Sequence, residues 1–241
     1  MDKKTVYVII PAAGKSVRMG GPVPKILMQV AGIPVIIRTL MAFDSCSGNV
    51  EFKAVVVTGE SLIDEVKDLV LSNGISCVID VIKGGSTRTE SVSLGVERLK
   101  DICKDDDVVF VHDGARCLVD EETIMRCAAS MNVNDVCVAS VPVKSTIKIS
   151  RTDDRGEKIV SSTPDRDTLY EVQTPQCFRY GIIRECYRYA VSNNVTATDD
   201  TQLAEMLGYD VYLTEGSYSN IKITTAEDIP VAEEIIRLRC P

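Results

Sequence analysis

The chain has 241 residues, 45% of them hydrophobic and 26% charged, with a formal net charge of -8. That is enough apolar material for one large α/β domain with a sizeable core. The acidic balance disfavours non-specific binding to nucleic acid or to anionic membranes, so an anionic ligand is held only where positive charge is locally concentrated.

The first apolar run, "VYVII", predicts a buried strand over Val6–Ile10. It is far too short for a membrane span or a signal-peptide core, so the expectation is a cytosolic protein. Directly after it comes "PAAGKSVRMGGPVPK", Pro11 to Lys25, with three glycines, three prolines and three basic residues and neither acid nor aromatic. Parallel α/β sheets bind ligands at the carboxyl ends of their strands, which makes this loop the first place to look. It is not a P-loop, because that motif needs a glycine where this chain has Ile9, and it holds no G-x-G-x-x-G. What remains is a stretch of small residues, Ala12, Ala13 and Gly14, whose backbone approaches a ligand closely and whose amides can form an anion nest. Arg18 and Lys25 follow on a proline-stiffened stretch.

Further strands are predicted over Lys53–Val57, Ser76–Ile82, Val108–His112 and Val136–Val141, with amphipathic helices between them. Ser61 with Asp64 reads as a capping box opening "LIDEVKDLVLSN", which Gly74 closes. Asp120 caps "EETIMRCAASM", and Thr225 with Asp228 opens the last helix. The alternation implies right-handed βαβ crossovers and a Rossmann-like, doubly wound, mostly parallel α/β sheet. "GGSTRTES", Gly84 to Ser91, is a glycine-rich turn entering a helix, suited to a base or a phosphate. "HDGAR", His112 to Arg116, lies at a strand's carboxyl end, where Asp113 can reach a phosphate-bound Mg²⁺. His112 is the only histidine; it reads as a general base or, better, as a core histidine at a strand end.

"DDD" at 105–107 mimics a D-x-D but precedes its strand, which makes it a solvated acidic turn. Residues 146–163 read as two polar strands around an Asp-Asp-Arg-Gly turn. Neither suits the central sheet, so the segment is expected to project as a hairpin arm and to pack against a partner subunit. "DRDTLYEVQTPQCF" holds Arg166 and the tetrapeptide Gln173–Gln176, which periodicity does not explain. "SNIKIT", residues 219–224, puts Lys222 beside Asn220 in a short expected strand. Nine cysteines without a C-x-x-C read as small buried hydrophobes of a reducing compartment.

The ordered set "PAAGKSVRMGGPVPK", "GGSTRTESV", "VHDGAR", "PVKSTIK", "DR..L...QTPQ" and "GSYSNIKIT" resembles the methylerythritol phosphate cytidylyltransferases of isoprenoid biosynthesis over nearly the whole chain. The related ribitol 5-phosphate cytidylyltransferases share several of these segments, but "TPDRDTLYEVQTPQ" is more similar to the isoprenoid branch. The resemblance implies a single nucleotidyltransferase domain over residues 1–241, with 144–165 as a β-arm used in dimerisation. It implies that CMP passes from CTP to an alcohol phosphate with release of pyrophosphate, Mg²⁺ being held mainly through the CTP phosphates. By position, Arg18, Lys25 and Lys222 match the family's catalytic cations. Ala12, Ala13, Gly14, Gly84, Ser91 and Gly114 match positions around CTP. Asp113, Arg116, Thr146, Arg166 and Thr174 match residues around the alcohol phosphate, with Asp113 and Asn220 on the metal side. In the family the arm reaches the neighbouring subunit's site, so the resemblance implies a homodimer with shared sites, and neither a nucleic acid nor a membrane partner. Family members commonly carry "HDAARP"; Gly114 and Cys117 depart from it here, without removing a charge.

Overall fold

The structure is a computed structural model, and it describes residues 3–14 and 23–239. The first strand, β1, spans Lys4–Ala12, and a two-residue ladder of β2 (Gln29–Val30) and β3 (Ile33–Pro34) leads into α1 (Val35–Asp44). Next come β4 (Val50–Thr58), α2 (Ile63–Ser72), β5 (Val78–Lys83), α3 (Arg88–Arg98), β6 (Val108–Val111), α4 (Glu121–Ser130) and β7 (Val136–Pro142). The short pair β8 (Ile149–Thr152) and β9 (Lys158–Ser162) precedes β10 (Tyr170–Arg179) and α5 (Tyr180–Ser192). The chain then closes with α6 (Thr201–Met206), β11 (Tyr212–Glu215) and α7 (Asp228–Arg239).

Seven strands form one sheet in the order β11-β7-β10-β6-β1-β4-β5. It is parallel except at β10, which runs antiparallel to both β6 and β7. Side-chain alternation along β1 supplies two cores at once. Val8 and Ile10 pack with α1, α2 and α4 on one face, while Ile9 packs with α3, α5 and α6 on the other. The expected doubly wound, mostly parallel sheet is therefore present. Residues 149–162 form their own antiparallel pair outside it, with nearly every side chain exposed.

Three local expectations are corrected. The strand expected from Ser76 begins at Val78, because the amides of Ser76 and Cys77 are held by Asp44 Oδ1 at 2.9 and 2.6 Å, not by a ladder. No Ser61–Asp64 capping box forms: a 3₁₀ turn over Glu60–Leu62 runs straight into α2, whose first residues need no side-chain cap. Thr225 and Asp228 pair at the start of α7 as expected, Asp228 Oδ2 accepting the N–H of Thr225 (2.8 Å) and of Thr224 (2.6 Å). Residues 219–224 form no strand; Ile223 is instead buried beside α7 and donates its N–H to Ala115 O at 2.8 Å. The Asp120 cap is present, accepting the Thr123 N–H at 2.8 Å. The eight described cysteines are all free thiols, six of them buried.

Candidate functional site

The carboxyl ends of β1 and β6 and the start of α3 surround a cavity of about 240 Å³. Six residues singled out in the sequence meet there: Ala12, Ala13, Gly14, Lys25, Asp113 and Lys222; a seventh, Ser91, lies in the first turns of α3. β1 continues two residues further than its apolar run, through Pro11 and Ala12, so the small residues are presented from a strand end rather than from a free loop. Arg18 lies outside the described residues.

The glycine-rich turn is a tight piece of packing. A Cβ on Gly84 would stand 2.6 Å from Ala13 Cβ and 2.9 Å from Ser91 Oγ. Only glycine lets the turn lie this close to the β1 edge. Ser91 Oγ accepts the Gly85 N–H at 3.1 Å and donates to Thr87 O at 2.8 Å. Thr87 and Glu90 cap α3 reciprocally, fixing the direction in which the next residue, Arg88, enters the cavity.

Asp113 sits at the centre of the charge. Its Oδ2 meets Lys222 Nζ at 2.5 Å and its Oδ1 meets Arg88 Nη2 at 3.3 Å. Burial pushes this carboxyl up, but the two cations outweigh burial and hold it well below the usual carboxylate range. It is therefore an anion under all physiological conditions. His112, beside it, is fully buried, and burial lowers its pKa to about 4. Its Nε2 lies 3.1 Å from the Arg116 carbonyl, which can only accept, so the ring proton is on Nε2. Nδ1 then accepts from the Thr174 hydroxyl at 3.0 Å, and Thr174 Oγ1 accepts the Asp113 N–H at 3.2 Å. A neutral histidine wired in this way is scaffold, which settles the choice left open by the sequence.

The tetrapeptide Gln173–Gln176 also finds its reason. The β10 register shifts between Val172 and Gln176, taking Gln173, Thr174 and Pro175 out of the ladder with β7, which Gln176 rejoins opposite Val138. Gln173 grips the segment that leads to Lys222: Nε2 donates to Ser217 O at 2.8 Å, and Oε1 accepts from Asn220 Nδ2 at 3.2 Å. Gln176 Oε1 accepts the N–H groups of Asp200 and Thr201 at 2.8 and 2.9 Å.

Several expected site residues lie outside the cavity lining. Asn220 is fully buried and is not among the lining residues; its Nδ2 donates to Thr174 O (2.8 Å) and to Gln173 Oε1 (3.2 Å), while its Oδ1 has no hydrogen-bond partner among the described residues. Arg116 donates from Nη1 to Asn220 O at 2.6 Å, and Gly84, Gly114 and Thr174 pack directly behind the lining. Thr146 and Arg166 are exposed at the base of the arm, where Arg166 Nη1 donates to Lys144 O at 3.3 Å. Sequence reasoning missed Arg88 and Asp200, which pair through two 2.7 Å contacts. A single arginine inside "GGSTRTES" carried no signal, because its partner lies 112 residues away.

A parallel α/β sheet that brings small-residue backbone, two lysines and one ionised carboxylate to its carboxyl edge has the architecture of a nucleotidyltransferase. The chain belongs to the IspD family, 2-C-methyl-D-erythritol 4-phosphate cytidylyltransferase, whose model matches residues 6–238. It is 41% identical over 233 residues to the enzyme of that name from Alkaliphilus oremlandii, covering 96% of this chain and 95% of the relative. Against the one from Synechococcus sp. (strain JA-3-3Ab) it is 37% identical over 234 residues, 97% and 98% of the two chains. The fold is similar to the crystal structure of 4-diphosphocytidyl-2C-methyl-D-erythritol synthase from Anaerococcus prevotii, with a TM-score of 0.81, 30% identity and coverage of 97% and 96%.

Proposed function

We propose that this chain transfers the cytidylyl group of CTP to 2-C-methyl-D-erythritol 4-phosphate in isoprenoid biosynthesis, releasing pyrophosphate. The observation that carries the reading is the cavity itself, where Lys25, Lys222 and the Ala12–Gly14 backbone converge around ionised Asp113 in a family of cytidylyltransferases. An oxygen of the alcohol phosphate attacks the α-phosphorus in line, the bond to the β-phosphate oxygen breaks, and pyrophosphate leaves opposite. The attacking monoester has a second pKa near ~6 and is anionic at neutral pH, so no protein base is needed. This agrees with a neutral, buried His112. The barrier lies in bringing two polyanions together, and fixed cations lower it: Lys25 and Lys222, with Arg18 assigned by the family pattern.

Mg²⁺ bound to the CTP phosphates supplies further charge neutralisation. The donor set fits that mode: Asp113 is the one carboxylate among the described lining residues, and no group of three acidic, histidine or cysteine side chains forms a metal cage among the described residues. Asp113 is the residue that would hold the metal side of the complex.

The arm makes the chain a homodimer in this reading. Ile149 and Val160 are more than half exposed on β8 and β9, and Arg166 and Thr146 do not line this chain's own cavity. A partner's cavity is where they act, on the alcohol phosphate. The reaction is assigned to the cytoplasm, with neither nucleic acid nor membrane as partner; no described helix is long and apolar enough to cross a membrane. Pyrophosphate release from CTP with methylerythritol 4-phosphate and ribitol 5-phosphate offered in parallel tests the assignment. Release with the former alone is the expected result, and a preference for the latter overturns the substrate.

A further inference from the structure

A charge pair joins the cavity wall to the interior behind it: Arg88 lines the cavity and Asp200 does not. Asp200, at the entrance to α6, is 1% exposed. Both its oxygens accept from Arg88, each at 2.7 Å, and the Tyr187 hydroxyl of α5 donates to the same carboxylate. Gln176 holds the backbone of Asp200 from the β10 side. A buried carboxylate tied from this many directions has one position, and a two-point fork fixes the plane of the guanidinium facing it. That plane sets where Arg88 Nη2 directs its other hydrogen, toward Asp113 Oδ1 at 3.3 Å. Without the fork, Arg88 is a mobile cation in a cavity suited to polyphosphate, and it turns to the nucleotide rather than to Asp113.

We propose that Asp200 is a positioning residue for the reaction, setting the Asp113 carboxylate through Arg88. Its work is to keep Arg88 committed to the protein, which leaves Lys25 and Lys222 as the described cations that meet the triphosphate. The inference rests on the cytidylyl-transfer reading, and the wild-type chain in the same assay tests that reading by itself: a chain that never turns over CTP fails it before any variant is compared.

Asp200→Asn keeps the shape and removes the charge. The expected result is a kcat lowered about tenfold or more, with KM for CTP unchanged or lower because the released Arg88 attracts phosphate. Calorimetric titration with CTP alone still finds one site per chain, which a collapsed site would not. Arg88→Lys, which keeps the charge and loses the fork, costs a similar factor alone, and adding it to Asp200→Asn costs less than about twofold more. A kcat within about twofold of wild type in Asp200→Asn, or losses that multiply in the double variant, overturns the proposal. Should Asp200→Asn fail to fold, Arg88→Lys decides: lower kcat at unchanged KM supports the positioning role, whereas a raised KM for CTP at unchanged kcat marks Arg88 as a direct nucleotide contact and overturns it.

Discussion

Acid titration of this protein reports on one buried ring. His112 is the only histidine in the chain, and burial lowers its pKa from an ordinary 6.5 to about 4. The unfolded chain therefore takes up the proton first, and stability is highest above the ordinary value and falls as pH drops from 6.5 toward about 4. At ~1.4 kcal/mol per pH unit, the full interval is worth about 3 kcal/mol, and the part between pH 6.5 and 5 about 2 kcal/mol. No other side chain has its ordinary pKa in that upper window. The physical cause is specific: Nδ1 is occupied by the Thr174 hydroxyl, Nε2–H by the Arg116 carbonyl, and an edge-on Phe43 closes the site at 5.1 Å. Urea unfolding at fixed protein concentration, between pH 7.5 and 5, measures the slope. His112→Asn retains a polar side chain and should flatten the curve above pH 5 while lowering stability at pH 7.5. A wild-type curve that is already flat, or an equal slope in His112→Asn, would refute the neutral-scaffold assignment.

Lys222→Ala and Lys25→Ala should each lower the transfer rate by roughly a hundred- to a thousandfold, the usual loss for one preorganised donor, with circular dichroism unchanged. Wild-type turnover in either removes that lysine from the mechanism. Gly84→Ala and Gly114→Ala should part company. The Gly84 methyl would stand 2.6 Å from Ala13 Cβ, an overpacking worth about 1–3 kcal/mol that also displaces backbone at the cavity edge. At Gly114 the nearest atoms are side-chain carbons at 3.2 Å, so alanine requires those neighbours to give by only a few tenths of an ångström and should cost less than at Gly84; thermal melts with CTP titrations of both variants check the contrast. If sites are shared across a dimer, Arg166→Ala and Lys222→Ala are each inactive yet complement on mixing. Random pairing gives half heterodimers with one intact site each, hence roughly a quarter of wild-type activity; no recovery after subunit exchange refutes the shared site.

What the sequence made legible was whatever repeats locally or carries a run. Fully buried strands announced themselves through successive apolar residues, and the hairpin through its polar strands and Asp-Asp-Arg-Gly turn. β10 escaped because its register break puts Gln, Thr, Pro and Gln where a central strand should show aliphatics. The Ser61–Asp64 spacing suited a cap that a 3₁₀ turn made unnecessary. Lys25, Lys222 and Asp113 were readable because the family pattern marks them, whereas Asp200 was not, since its chemistry depends on a residue 112 positions away.

The unexplained tetrapeptide turns out to join the two halves of that problem. Gln173 holds the segment ending in Lys222, Gln176 holds Asp200 and so Arg88, and Thr174 holds the backbone of Asp113. Both cations facing Asp113 are thus anchored to the same four residues, and the anchors are neutral amides and a hydroxyl. Neutral anchors matter here, because an extra charge in a region this buried would compete with the ion pairs it is meant to orient. Removing β10 from the ladder for three residues costs hydrogen bonds with β7, and the side chains so released make others that fix the charge geometry at the cavity. A strand break in the middle of a sheet is in this molecule the means by which an acidic chain keeps a small cationic site in register.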